Sequence, residues 1–174
     1  MEEKELVERC LQNSRIDQKQ LYEKFSPLML GVCMRYANSR EEGEDVMIEG
    51  FTNVFAHLSE FKFECSLQNW IRRIMLNTAI DHFRMNVKRY HHLSIDDDGV
   101  MMPVASESPT GKLMEKDLLN VIQRMPETYR VIFNLFVIEG LSHKEIGEML
   151  DIQECTSRSQ LVRAKKWLKE AIER

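Results

Sequence analysis

Apolar residues return every three or four positions along most of this chain, a rhythm that suits packed helices and little else. From Leu21 the series Phe25, Leu28, Met29, Val32 and Tyr36 marks one helical face, and Pro27 is expected to kink or break it. A second series runs Met47, Phe51, Val54, Phe55 and Leu58. A third begins at Leu67 and continues through Trp70, Ile71, Ile74 and Met75, with Arg72, Arg73, Asn77, Asp81 and Arg84 on other faces. Only 7 Gly and 4 Pro occur in 174 residues, too few breaks for a strand-and-turn fold, so the expected class is all-α. The length allows two small domains.

The rhythm lapses over residues 91–112, where Asp96, Asp97, Asp98, Gly99, Pro103, Ser106, Ser108, Pro109 and Gly111 concentrate acid and turn formers. This stretch is expected to be a flexible acidic linker between a helical domain at 1–90 and a second at 113–174. Its Asp96 to Gly99 run lacks the alternating ligands and closing glutamate of a calcium loop. Beyond it, helices are expected from about Leu113 to Met125 and from Pro126 to Ile138, with the proline in a first helical turn and Gly140 closing the pair.

Ser142, followed three residues later by Glu145, forms a capping-box pattern ahead of a short helix carrying Ile146, Met149 and Leu150. Asp151 turns the chain. A last helix from about Gln153 points Leu161, Ala164 and Leu168 inward and Arg158, Ser159, Val162, Arg163 and Lys166 outward. Short helix, tight turn and longer basic helix is the order of a helix-turn-helix, and Gly147 suits a close turn. A recognition helix needs short or planar polar side chains in its first turns, which Thr156, Ser157, Arg158, Ser159 and Gln160 supply. Arg158 and Arg163 are the first candidates for base or phosphate contact, and Gln160 could pair with adenine.

Net charge is −4, which argues against a polyanionic partner until the charge is placed along the chain. Residues 1–64 carry −5, 65–92 carry +4, 93–112 carry −3, 113–154 carry −4 and 155–174 carry +4. Positive charge is therefore confined to two segments, and two separate contacts with DNA are expected. The first mixes Phe61, Phe63, Trp70, Phe83 and Tyr90 with Arg72, Arg73, Arg84, Lys88 and Arg89, which suits stacking of exposed bases beside backbone phosphates. Trp70 fits a stacking platform and a core position equally well, whereas Phe83 reads as core. His91 and His92 read as an extension of the phosphate-facing surface.

Cys10, Cys33, Cys65 and Cys155 stand too far apart for zinc or redox motifs and read as reduced thiols. No metal or cofactor is expected. No apolar run approaches the roughly 18 residues of a membrane span, and Glu2, Glu3, Lys4 and Glu5 do not open a signal peptide, so a cytoplasmic protein is expected. Phosphate-binding glycine loops, Gly-x-Ser-x-Gly and His-Glu-x-x-His are all missing, which argues against an enzyme.

Four blocks carry a family likeness: EDVMIEGFTNVFAHLSEF (Glu44 to Phe61), SLQNWIRRIMLNTAIDHFR (Ser66 to Arg84), MPETYRVIFNLFVIEGLSHKEIGEMLDI (Met125 to Ile152) and TSRSQLVRAKKWLK (Thr156 to Lys169). In that order, around an acidic linker, they resemble the extracytoplasmic-function group of bacterial sigma factors of the sigma-70 family. The resemblance implies a two-domain initiation subunit that brings core RNA polymerase to promoter DNA and has no catalysis of its own. It implies that the helix Glu44 to Leu58 docks on the clamp helices of the largest polymerase subunit through Asp45, Ile48, Glu49 and Phe51. It implies minus-10 binding and strand opening by Lys62, Phe63, Ser66, Trp70, Arg73, Asn77, Thr78, Asp81 and Arg84. Minus-35 duplex would be held by Thr156, Ser157, Arg158, Ser159, Gln160, Val162, Arg163 and Lys166, and an inhibitory anti-sigma factor would be a further partner.

Ile48 stands where this group often has glutamine, Asp151 where it often has glycine, and Gln160 and Val162 where arginine and an aromatic or histidine are frequent. Promoter preference therefore does not carry over. The rival reading is a stand-alone regulator with residues 1–90 as an interaction or sensor domain; it leaves the aromatic and basic segment unexplained.

Overall fold

The computed structural model describes residues 3–12, 14–93 and 120–173, the side chains of 88–93 excepted. The expected linker at 91–112 and the helix expected to start at Leu113 fall largely outside these residues, as do the side chains of His91 and His92. The chain divides into two compact units, Met1–His82 and Phe83–Arg174.

The first unit is built from α1 (Glu3–Leu11), α2 (Arg15–Met34), α3 (Arg40–His57), a single 3-10 turn (Leu58–Glu60) and α4 (Leu67–Leu93), which continues past the unit's end. Ser14 and Ser39 cap α2 and α3, their hydroxyls accepting from the backbone N–H groups of Asp17 at 3.4 Å and Glu42 at 3.1 Å. Ser66 caps α4 in the same way, accepting from the Asn69 N–H at 3.3 Å, and the Glu3 carboxylate of α1, 64 residues away, adds a second contact by accepting from the Leu67 N–H at 3.0 Å.

Pro27 neither breaks nor ends α2, which runs through it. The proline removes one backbone hydrogen bond, but Phe25, Met29 and Val32 on either side are buried and hold the helix to its neighbours. Leu28, expected on the buried face, is 49% exposed because the stripe Leu21, Phe25, Met29, Val32 leaves it at the margin. α2 meets α3 where the Tyr22 and Phe51 rings lie 4.7 Å apart. α3 meets α4 closely at Gly50, where a Cβ would fall 2.3 Å from the Met75 sulfur. Two polar contacts flank that approach: Asn53 Nδ2 donates to Thr78 Oγ1 at 3.2 Å, and His82 Nδ1 lies 3.2 Å from Glu42.

The second unit contains a helical stretch at 120–123, α5 (Glu127–Phe133) widening into a π-helical turn at Asn134–Ile138, α6 (His143–Leu150) and α7 (Glu154–Ile172). Pro126 is the residue just before α5 and not in its first turn, because its ψ of 137° is still extended. Both α5 and α6 pack on α7, burying Val131, Ile132, Ile146, Leu150, Leu161 and Ala164. Gly140 follows the π-helical turn at φ 72°, a left-handed conformation that glycine adopts without strain.

The capping box at α6 forms as the sequence suggests. Ser142 Oγ accepts from the Glu145 N–H at 3.3 Å, and the Ser142 N–H donates to the Glu145 carboxylate at 2.8 Å. Hydrogen bonds from Ser142 hold the Glu145 carboxyl below its ordinary pKa. That contribution is complete above the unfolded carboxylate range and is lost as pH falls through the lowered value. α6 ends at Asp151, itself left-handed with φ 55°. Gly147 makes the turn close: the Ile152 N–H donates to its carbonyl at 3.0 Å, and a Cβ at Gly147 would sit 2.8 Å from the Ile152 oxygen. No helix among the described residues is long and apolar enough to cross a membrane.

Two outcomes are expected. Gly147→Ala pushes a methyl against backbone that cannot swing away, so it should destabilise the second unit by about 1–3 kcal/mol; an unchanged denaturation midpoint would show slack in the turn. Cys10 and Cys33 are buried, the latter with its thiol pushed up to about 12 by burial, while Cys65 and Cys155 are exposed. A thiol reagent at pH 8 should therefore modify Cys65 and Cys155 rapidly and the other pair only on unfolding, as peptide mapping by mass spectrometry can check.

Candidate nucleic-acid and polymerase interface

α7 buries Ser157, Leu161 and Ala164 along one side, and a helix that commits that stripe turns its neighbours outward. Arg158, Ser159, Val162, Arg163 and Lys166 are all exposed. Gln153 precedes the helix without any side-chain cap hydrogen bond. Anions favour such a helix start through its backbone N–H groups and dipole. Arg158 is ion-paired to Glu154, and Lys166 lies 4.0 Å from Glu170, both as exposed i,i+4 pairs. Such pairs are worth about 0.3–0.5 kcal/mol, so a phosphate can displace the carboxylate at little loss.

Three of the expected upstream contacts are placed differently. Ser157 is fully buried, its hydroxyl 3.0 Å from His143 Nδ1, because it lies one turn before Leu161 on the packing stripe. Gln160 is half-buried and its Oε1 is shielded from solvent, without a hydrogen-bond partner among the described residues. Thr156 is half-buried, and its carbonyl accepts from the Ser159 hydroxyl at 3.0 Å.

His143 is a residue that sequence reasoning passed over. It opens α6, stacks on Phe136 with ring centroids 4.5 Å apart, and reaches Ser157 on α7. Lys165 lies 5.9 Å above the same Phe136 ring. One imidazole thus ties the π-helical turn, the first helix of the motif and the recognition helix together. The missed signal is its position, directly after the capping serine and at the same end of the motif as Ser157.

On α4 and the loop before it, Ser66, Trp70, Arg73, Asn77, Asp81 and Arg84 follow one another at spacings of three and four and so share a face. Ser66, Arg73, Asn77 and Asp81 are exposed, and Arg84 and Trp70 are half-buried. Thr78 does not join them. It is buried on the side of Met75, and its hydroxyl donates to the Ile74 carbonyl at 3.0 Å while accepting from Asn53.

The loop carries an aromatic series. Phe63, 45% exposed, lies 4.6 Å from the buried Phe61 ring, which lies 5.2 Å from Trp70. Phe63 has φ 58°, a left-handed conformation that costs an L-residue about 1–2 kcal/mol. The Phe63 ring stays about half in solvent, next in sequence to exposed Lys62. Trp70 accordingly packs one side on Phe61 and keeps part of its ring in solvent; Phe83 is buried, as expected.

On α3, Asp45, Ile48 and Glu49 are exposed, Ile48 at 57%. Phe51 is not available with them: it is 3% exposed and packs between the Tyr22 and Phe55 rings. Its place on the apolar series Met47, Phe51, Val54 explains the burial. Thr52, exposed and donating its hydroxyl to the Ile48 carbonyl at 2.9 Å, borders the same face.

Comparison with known proteins adds two family matches, sigma-70 region 2 over residues 21–89 and sigma-70 region 4 over residues 115–168. The chain is 25% identical to the RNA polymerase sigma-H factor of Pseudomonas aeruginosa, over 99% of this chain and 94% of that one. It is 26% identical to the ECF RNA polymerase sigma-E factor of Haemophilus influenzae, over 97% and 94%. Among solved structures it resembles the sigma factor RpoE of Bartonella quintana, crystallised with the anti-sigma factor NepR, with TM-score 0.54 at 18% identity over 90% of this chain and 97% of that one.

Ser157→Ala should remove one hydrogen bond and leave His143 Nδ1 without it, for a loss of about 1 kcal/mol. Chemical denaturation of the full chain checks this, and a His143→Ala background should make the serine change nearly silent if the two act as a pair.

Proposed function

The chain belongs to the extracytoplasmic-function group of the sigma-70 family, and from that premise we propose how its three exposed faces divide the work of a sigma factor. It is an RNA polymerase sigma factor, which binds core polymerase, recognises promoter DNA and serves transcription initiation. The observation that carries this reading is the occurrence of regions 2 and 4 in order within one chain.

In the division proposed, Asp45, Ile48 and Glu49 of α3 meet the clamp helices of the largest polymerase subunit. The exposed apolar Ile48 between two acids suits a contact that is apolar at its centre and charged at its rim. Lys62, Phe63, Ser66, Trp70, Arg73, Asn77, Asp81 and Arg84 hold the minus-10 element as its strands part. The aromatic series supplies faces on which an unpaired base can stack at about 1–3 kcal/mol, and the cations hold its backbone. Arg158, Ser159, Val162, Arg163 and Lys166 meet the minus-35 element as duplex, while Ser157 and Thr78 support these faces from within.

Each unit binds its element weakly, and the tether makes the pair strong by raising effective concentration. The chain does no chemistry of its own; polymerase does. It works in the cytoplasm, where polymerase and promoters are, and an inhibitory anti-sigma factor that covers these faces completes the set of partners.

In vitro transcription with core polymerase over a promoter library tests the reading, since a stand-alone regulator would neither bind core nor direct specific starts. Arg158→Ala should relax recognition at one upstream position by about 1–3 kcal/mol, whereas Lys166→Ala should weaken all sequences alike and reduce the salt slope by about one. Equal losses on every sequence for both changes would count against the roles assigned.

A further inference from the structure

Val162 is 68% exposed, and among the large apolar side chains described only Ile16 is more so. It sits two turns into α7, on a face that is otherwise polar: Arg158 lies one turn before it, Lys166 one turn after, and Ser159 and Arg163 border it. Lone exposed valines are ordinary on protein surfaces; this one occupies the centre of the exposed polar face that the reading above assigns to duplex DNA. Valine also brings nothing to the helix itself, being a poorer helix former than the lysines and glutamates that usually fill exposed positions.

A valine side chain can neither donate nor accept a hydrogen bond, and it is too short to lie along a phosphate backbone. Its two methyl groups stand on a stiff χ1, so they present a fixed apolar surface. The major-groove edge of a base pair offers one apolar feature, the C5-methyl group of thymine. The four polar neighbours can anchor to phosphates or base edges around it, leaving the valine to meet that methyl in a small dry contact.

We propose that Val162 is a specificity-determining residue that reads the methyl group of one thymine in the upstream duplex element. This rests on the functional reading above, in which the same face meets that duplex. Apolar contact over one methyl group corresponds to about fourfold in affinity.

The test uses holoenzyme reconstituted from the full chain and core polymerase, with duplex promoter fragments of a sequence selected by transcription from the library. Each thymine of the upstream element is replaced singly by deoxyuridine, which removes the methyl and keeps every hydrogen-bonding group. One such replacement is expected to weaken binding by about fourfold with the native chain and to have no effect with Val162→Ala, an exposed change to a better helix former. Selective binding that ignores every thymine methyl, or a methyl preference that persists in Val162→Ala, overturns this inference alone. Holoenzyme that selects no promoter overturns the functional reading and the inference with it.

Discussion

Leu67, Ile71, Met75 and Thr78 lie along one side of α4 and are buried, so Arg73, Asn77 and Asp81 must face away. The same geometry governs α7, where Ser157, Leu161 and Ala164 go inward, and α3, where Met47, Phe51 and Val54 do. A helix turns about 100° per residue, so choosing the packed stripe chooses the free one. Each helical surface assigned to DNA or polymerase is the complement of a stripe that a neighbouring helix covers, and the loop at Lys62, Phe63 and Ser66 extends one of them.

Holding those stripes in register falls to a few close approaches. Gly50 lets α4 lie against α3 at Met75, and Gly147 lets the turn between α6 and α7 close on backbone alone. Polar links then set direction where apolar contact would allow sliding: Asn53 to Thr78, Glu42 to His82, and His143 to Ser157. These are geometrically demanding contacts between elements, whereas the exposed pairs Arg158–Glu154 and Lys166–Glu170 are soft. The molecule is thus firm where a recognition helix needs an angle and exchangeable where it meets phosphates.

The capping box at Ser142 and Glu145, the turn at Asp151 and the outward set on α7 were readable from residue type and spacing. Phe51 and Thr78 were assigned to contact surfaces through family likeness, and Ser157 first through its place in the opening turns of the recognition helix; all three lie on buried stripes. Phe51 stands four after Met47, on an apolar series already visible in the sequence, Thr78 three after Met75, and Ser157 four before Leu161, so helical register places all three inward. The His143 contact left only a positional signal, directly after the capping serine, since its partner lies fourteen residues away on another helix. Pro27 shows a local rule at its limit: of the kink or break it suggests, the break does not occur, because burial on both sides holds the helix through it.

By itself the amino-acid sequence determined the helical class, the caps, the two basic segments and the likeness to a family, because each depends on neighbours within a turn or two or on residue order. Tertiary packing decided which polar residues remain at the surface, how Phe63 and Trp70 are held, and that Glu3 adds a second contact at the start of α4. Those outcomes depend on groups brought together from distant positions, and burial of a shared apolar face, acting between helices, selects them.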